Sequence, residues 1–176
     1  RKGQTQSTKE LIDLKQVIWQ QGIEPKNMTS AACNQILTLF FTETGERYTE
    51  ASVRHLPIPN WKGNLILTDA SNDGPTTVLG LLWATPFKDD IVRVAAFVID
   101  SSYQGLGLGS LAWNRFVEAA LNAGYRRVQL EVKANNIRAQ RFYERRGMTV
   151  QKHLEGYYQS GLGYMMQGPL QTIVNN

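Results

Sequence analysis

One cysteine, two histidines and no long apolar run are the first constraints that these 176 residues impose. Cys33 alone can neither close an internal disulfide nor supply a multi-cysteine metal site. His55 and His153 lie far apart in the chain and suggest no ligand cluster, so no metal is expected. A membrane span needs about 20 consecutive apolar residues, and the sequence has no such run. The opening Arg1-Lys2-Gly3-Gln4-Thr5-Gln6 has no apolar stretch behind its charges, unlike a secretory signal. The expected home is a reducing cytoplasm, with no membrane partner. Hydrophobic residues at 42% and charged residues at 19% exclude a disordered or fibrous chain. The length fits one domain that buries roughly 70% of its unfolded surface. Residues 1–9 read as a loose polar tail and 10–176 as a single domain.

The formal net charge is +4, and it is unevenly spread. The span from Arg115 to Lys152 alone carries +6, leaving the remainder net acidic. Such a concentration suits a phosphate-bearing partner, either a nucleic acid or a nucleotide-like cofactor. A solvated helix face would look the same by charge count.

Leu11, Leu14, Val17 and Ile18 recur at helical spacing and stop at Gly22, with Pro25 beyond, which predicts a first helix. A second helix is expected from the Thr29/Ser30 cap, with Ile36, Leu37, Phe40 and Phe41 on one face, and a third around Glu46–Leu56. Leu65–Thr68, Val78–Ala84 and Ile91–Ile99 read as strands, with turns at Asp69–Pro75 and at Pro86 to Asp90. After the loop Asp100–Gly109, the residues Leu108, Leu111, Ala112, Phe116, Ala119, Ala120 and Ala123 predict the buried face of an amphipathic helix. Gly124 stands where a left-handed cap belongs. Val128, Leu130 and Val132 alternate with polar residues as a half-buried strand, and Asn136 caps a helix that ends at Gly147. Strands at about Thr149–Glu155 and Gly163–Leu170 close the chain. This order of elements predicts a mixed α/β sheet.

Two motifs carry chemistry. Gln104-Gly105-Leu106-Gly107-Leu108-Gly109 lies between a strand and a helix. Its glycines allow close backbone approach to a ligand, and the free N–H groups at Gly109 and Ser110 suit an anion. The spacing departs from a dinucleotide fingerprint, and no Lys followed by Ser or Thr makes it a P-loop. The second constellation is Glu131 on a strand, followed by Asn136, Ala139, Phe142, Tyr143, Gly147 and Met148.

Together these motifs resemble the GNAT superfamily of acyl-CoA-dependent N-acetyltransferases. The acyl-CoA loop of that family, Q/R-x-x-G-x-G/A, is matched by Gln104, Gly107 and Gly109. Its second signature, N-x-x-A-x-x-x-Y-x-x-x-G-F, is matched by Asn136, Ala139, Tyr143 and Gly147, with Met148 in place of Phe. The resemblance covers roughly Val78 to Leu170, expected to be the cofactor-binding core. It implies a mostly antiparallel α+β sheet of six to seven strands flanked by helices, with a central splayed parallel pair. It implies acetyl-CoA as cofactor, held by Phe97, Val98, Ile99, Gln104, Gly105, Leu106, Gly107, Leu108, Gly109, Ser110, Asn136 and Arg138.

Within the superfamily, Leu130-Glu131-Val132-Lys133 is similar to a strand of the ribosomal-protein alanine N-acetyltransferase type. That likeness implies Glu131 as general base, Tyr143 as general acid, and Tyr157 and Tyr158 as walls of a pocket for a protein or peptide N-terminus. An amine nucleophile is mostly protonated near pH 7, so a carboxylate suits its deprotonation. Positions 105 and 106 are Gly and Leu, where many members place Arg or Lys. The first 75 residues do not match the peptide-acetylating group recognisably.

Other readings stay open. A small amine such as a polyamine or aminoglycoside is the alternative acceptor; it would call for an acidic pocket, and Glu43, Glu46, Glu50, Asp69 and Asp73 are available. A non-catalytic CoA-binding or nucleic-acid-binding module would use the basic span differently. Nucleic acid is disfavoured, because Phe116 and Phe142 fall at positions that helical periodicity buries. The expected assembly is a monomer or homodimer.

Overall fold

The computed structural model describes residues 17–69, 76–158 and 161–173. Its first part runs through β1 (Val17–Gln21), α1 (Ser30–Thr44), α2 (Glu50–Arg54), β2 (Leu65–Asp69), β3 (Val78–Lys88) and β4 (Ile91–Ile99). Its second part comprises α3 (Leu108–Asn122), β5 (Arg127–Lys133), α4 (Ile137–Glu144), β6 (Thr149–Tyr158) and β7 (Gly161–Pro169). The seven strands make one sheet in the order β1-β2-β3-β4-β5-β7-β6. Every neighbouring pair is antiparallel except β4 and β5.

Local chemistry sets the helix limits. The Thr29 hydroxyl accepts from the Ala32 N–H to open α1, and Gly45 closes it in a left-handed conformation at φ +75°. Thr49 and Ser52 form a reciprocal capping box at α2. The Asn136 side chain accepts from the Ala139 N–H to start α4.

Strand alternation divides the core between the two faces of the sheet. Leu81 and Trp83 of β3 point to one face, where Cys33, Ile36 and Phe40 of α1 cover them. Leu82 and Ala84 point to the other, beneath Ala112, Trp113 and Phe116 of α3. Cys33 is fully buried, as its helical position suggests, and burial raises its thiol pKa.

The structure corrects several expectations. Val17–Gln21 is a strand, not the end of a helix, because it pairs with β2 across the sheet edge. The apolar positions Leu11 and Leu14, the tail 1–9 and most of the turn before Pro75 lie outside the described residues. Pro86 belongs to β3, near the strand end, where a register shift tolerates its missing N–H. Leu111 is more than half exposed, while Trp113 and Val117 occupy the buried face of α3. Gln129 of β5 is also buried, so that strand is covered on both faces rather than half-buried.

The feature that positions the site is a gap in the sheet. Pairing between β4 and β5 runs from Ile91 and Arg127 to Val94 and Leu130, and then stops. Beyond that point β4 stays paired with β3 as far as Ile99, and β5 stays paired with β7 as far as Lys133. The two strands therefore splay, leaving the backbone of Ala95–Ile99 unpaired on the side toward β5.

Candidate active site

A groove of about 800 Å³ opens from this splay toward the start of α3 and the face of α4. Among the residues expected to hold a cofactor, Phe97, Val98, Ile99, Gln104, Gly105, Gly107, Gly109, Ser110, Asn136 and Arg138 line it. Leu106 and Leu108 do not: Leu106 is exposed, and Leu108 turns into the core. Arg141 and Arg145, spaced to share one helical face with Arg138, line the groove beside it.

The first turn of α3 forms one end of the groove. Gly107 is its N-cap, with φ +82° and no side chain to satisfy the helix N–H groups. The first intrahelical bond is donated by the Leu111 N–H to the Gly107 carbonyl. The N–H groups of Leu108, Gly109 and Ser110 precede that bond and have no acceptor within the helix. A Cβ at Gly107 would meet nothing within 4 Å, so the space before the helix is open. An open space, uncapped N–H donors and three arginines fit the phosphates of coenzyme A.

The Gln104 side chain acts as a strut. Its Nε2 donates to the Ile99 carbonyl at 2.7 Å and to Glu43 Oε2 at 3.0 Å, and its Oε1 accepts from Arg138 at 3.1 Å. Glu43 also accepts from the Ser101 N–H. One amide thus ties α1, β4 and α4 around the glycine loop.

Tyr143 lies on the groove wall, buried, with its ring against Trp113 and Phe142. Burial raises its phenol pKa well above the ordinary tyrosine value, so it keeps its proton at neutral pH. Glu131 sits across the splay on β5, outside the lining of this groove. Arg93 of β4 grips its carboxylate: Nε lies 3.0 Å from Oε2 and 3.2 Å from Oε1, and Nη2 lies 2.9 Å from Oε2. The same guanidinium donates to the Tyr157 hydroxyl at 3.4 Å.

Tyr157 packs edge-on against Tyr158 at 4.9 Å between ring centroids. Burial raises the Tyr158 pKa first, followed by its neighbours Tyr157, Glu131, Tyr48 and Tyr143. That ordering puts Tyr158 within electrostatic reach of both predicted catalytic groups. Lys133 ion-pairs with buried Glu46 at 3.0 Å, donates to the Thr44 carbonyl and lies over the Tyr158 ring. Lys133 thus ties the end of α1 and β5 to the β6–β7 hairpin on the far side of the splay.

Tyr48 and Arg93 were not anticipated, and Glu43 was foreseen only as an acid for a polycation pocket, not as a partner of the glycine loop. Arg93 had a sequence signal, since a lone charge inside the apolar run Ile91–Ile99 calls for a partner. Glu43 and Tyr48 had none, because a fold-back of α1 onto the loop is non-local.

A family model described as "Acetyltransferase (GNAT) family" matches residues 31–148. No curated protein sequence matches the chain. Ard1 from Thermoplasma volcanium superposes with a TM-score of 0.71 at 21% identity, over 91% of this chain and 99% of that one. The ribosomal-protein-S18-alanine N-acetyltransferase from Escherichia coli gives 0.67 at 16% identity, over 91% and 97%. Arabidopsis thaliana Naa50, in complex with the bisubstrate analogue CoA-Ac-MVNAL, gives 0.62 at 17%, over 86% and 97%.

Proposed function

The chain belongs to the acetyltransferase (GNAT) family, and from that premise we propose that it acetylates the N-terminal α-amine of a protein or peptide. The observation that carries this reading is the splay itself, which has a groove with donors suited to a diphosphate on one side and the Arg93-held Glu131 and Tyr157, with Tyr158 beside them, on the other. Two of the similar structures support it: one is a ribosomal-protein-S18-alanine N-acetyltransferase, and the other, Naa50, is in complex with the bisubstrate analogue CoA-Ac-MVNAL.

Acetyl-CoA, when bound, supplies the thioester whose acetyl group is transferred. The N–H groups at the start of α3 and the side chains of Arg138, Arg141 and Arg145 hold its phosphates. Asn136 serves as both helix cap and groove wall. The unpaired backbone of Phe97–Ile99 lies along the donor, and an N–H there polarises the carbonyl. Glu131 takes the amine proton; its Oε1 receives only one long bond from Arg93, leaving lone pairs for an amine or an intervening water. Tyr143 returns a proton to the departing sulfur. The desolvation that holds the Tyr143 proton also raises the proton affinity of a thiolate beside it, so donor and acceptor shift in the same direction. Arg93 orients Glu131 and Tyr157 together. On this reading residues 10–176 work as one domain with its cofactor core at 78–170, in the cytoplasm, as a monomer or homodimer.

The polycation alternative is weakened, because Glu43 is bound to Gln104 and Ser101, Glu46 to Lys133, and Glu50 to Arg54 and Ser30; Asp69 is also engaged, and Asp73 lies outside the described residues. The nucleic-acid alternative is weakened because the arginines of α4 converge on the groove instead of spreading over an open face.

The deciding experiment is a thiol-release assay with acetyl-CoA and a panel of acceptors. Peptides with free N-termini should turn over, and the same peptides with blocked N-termini should not. Faster turnover with polyamines or aminoglycosides than with every peptide would overturn the acceptor assignment.

A further inference from the structure

The segment Gln104–Ser110, which would cradle the donor diphosphate, contains no basic residue. Directly behind it lies Arg146, 1% exposed, just past the end of α4. Its Nη1 donates to the Phe142 carbonyl at 2.9 Å, and its Nη2 donates to Ser110 Oγ at 2.9 Å. The guanidinium lies 3.5 Å from the centroid of the Phe142 ring. No carboxylate among the described residues pairs with it, and its Nε has no hydrogen-bond partner. A buried cation of this kind is costly unless an anion offsets it. Both groups that it touches, Phe142 and Ser110, line the groove.

We propose that Arg146 is a positioning residue for the donor diphosphate. By occupying an acceptor site on Ser110 Oγ, it leaves the Ser110 proton free to be directed at a phosphate oxygen. It also supplies from below the positive charge that the loop itself lacks. Arg146 does not touch the ligand; it acts through Ser110 and through its field. The inference rests on the donor-binding reading above. It adds a residue that the loop motif does not contain.

The test is calorimetric titration of CoA and of pantetheine, which lacks the diphosphate, into wild type, R146M and R146K. Wild type should bind CoA. R146M should weaken CoA by about tenfold or more, the scale of one charge-assisted hydrogen bond, and leave pantetheine within twofold. R146K, which keeps the charge but not the fork, should fall between. The melting temperature of ligand-free R146M should match or exceed that of wild type, because an unpaired buried charge has been removed. Equal weakening of both ligands, or an unchanged affinity for CoA, overturns the role. If R146M does not fold, R146K decides by the same contrast: a loss confined to CoA supports the proposal, and an equal loss overturns it. A wild-type protein that binds neither ligand overturns the donor reading and this inference with it.

Discussion

Arg93 stands one residue before the last pairing of β4 with β5 and Glu131 one residue beyond it, and their ion pair spans the start of the splay, so a change at either is felt on both strands. Glu131→Gln keeps the size of the side chain and removes the base. It should lower kcat by about 10²-fold while CoA affinity is retained, as read by steady-state kinetics beside calorimetry. Tyr143→Phe should behave alike where chemistry limits the rate. Near-full turnover by both variants would reject the assignment. The buried phenol of Tyr143 and the half-buried one of Tyr158 also leave an optical mark. Tyr143 and Tyr158 have pKa values raised above the ordinary 10. Above pH 10 the unfolded chain therefore releases protons that the folded chain retains, and stability falls as pH rises. In a native absorbance titration these two of the seven tyrosines should stay silent, appearing only on alkaline unfolding. A native titration that includes all seven would contradict these raised values.

The elements differ in how plainly they could be read beforehand. The strand Ile91–Ile99, the cap at Thr29 and the cap at Asn136 depend on neighbours close in sequence, and the pattern announced them. β1 was concealed because Leu11, Leu14, Val17 and Ile18 mimic a helical stripe; its strand state comes from pairing with Leu65–Asp69, a partner no local pattern shows. Arg146 was hidden by its company. Arg138, Arg141 and Arg145 share the face toward the groove, whereas Arg146, four residues after Phe142, is turned inward by the helical phase. The loop, Tyr143 and Glu131 were legible as a motif; the Arg93 grip and the Gln104 strut depend on distances between elements. Packing of β7 against the α4–β6 turn can be tested directly. A Cβ on Gly168 would come within 2.7 Å of the Gly147 carbonyl oxygen and 2.8 Å of Met148 Cα, both backbone atoms. Gly168→Ala should therefore cost about 1–3 kcal/mol as overpacking, lowering Tm by about 2–4 °C per kcal/mol at this chain length. An unchanged Tm would show that β7 can step aside.

For the whole molecule, the proposed binding mode makes the donor a wedge in the sheet. CoA at about 100 times its Kd should add about 2.7 kcal/mol of stability, a rise of roughly 5–10 °C in Tm, measured by scanning calorimetry. Gly107→Trp, which fills the open space before α3, should abolish the rise; an equal rise in that variant would remove the loop from the binding site. The parallel pairing of only four residues across the sheet centre has a kinetic consequence as well. The strands β1–β4 follow one another as antiparallel neighbours, and β5–β7 form their own antiparallel set, so each flank can assemble from its own contiguous length of chain. Apart from α3, whose buried face shares one core with residues of both flanks, two flanks joined by so short a strand seam should dock late in folding. Closing long loops before they are rewarded is what slows β-rich chains, and this division confines most of that cost within each flank.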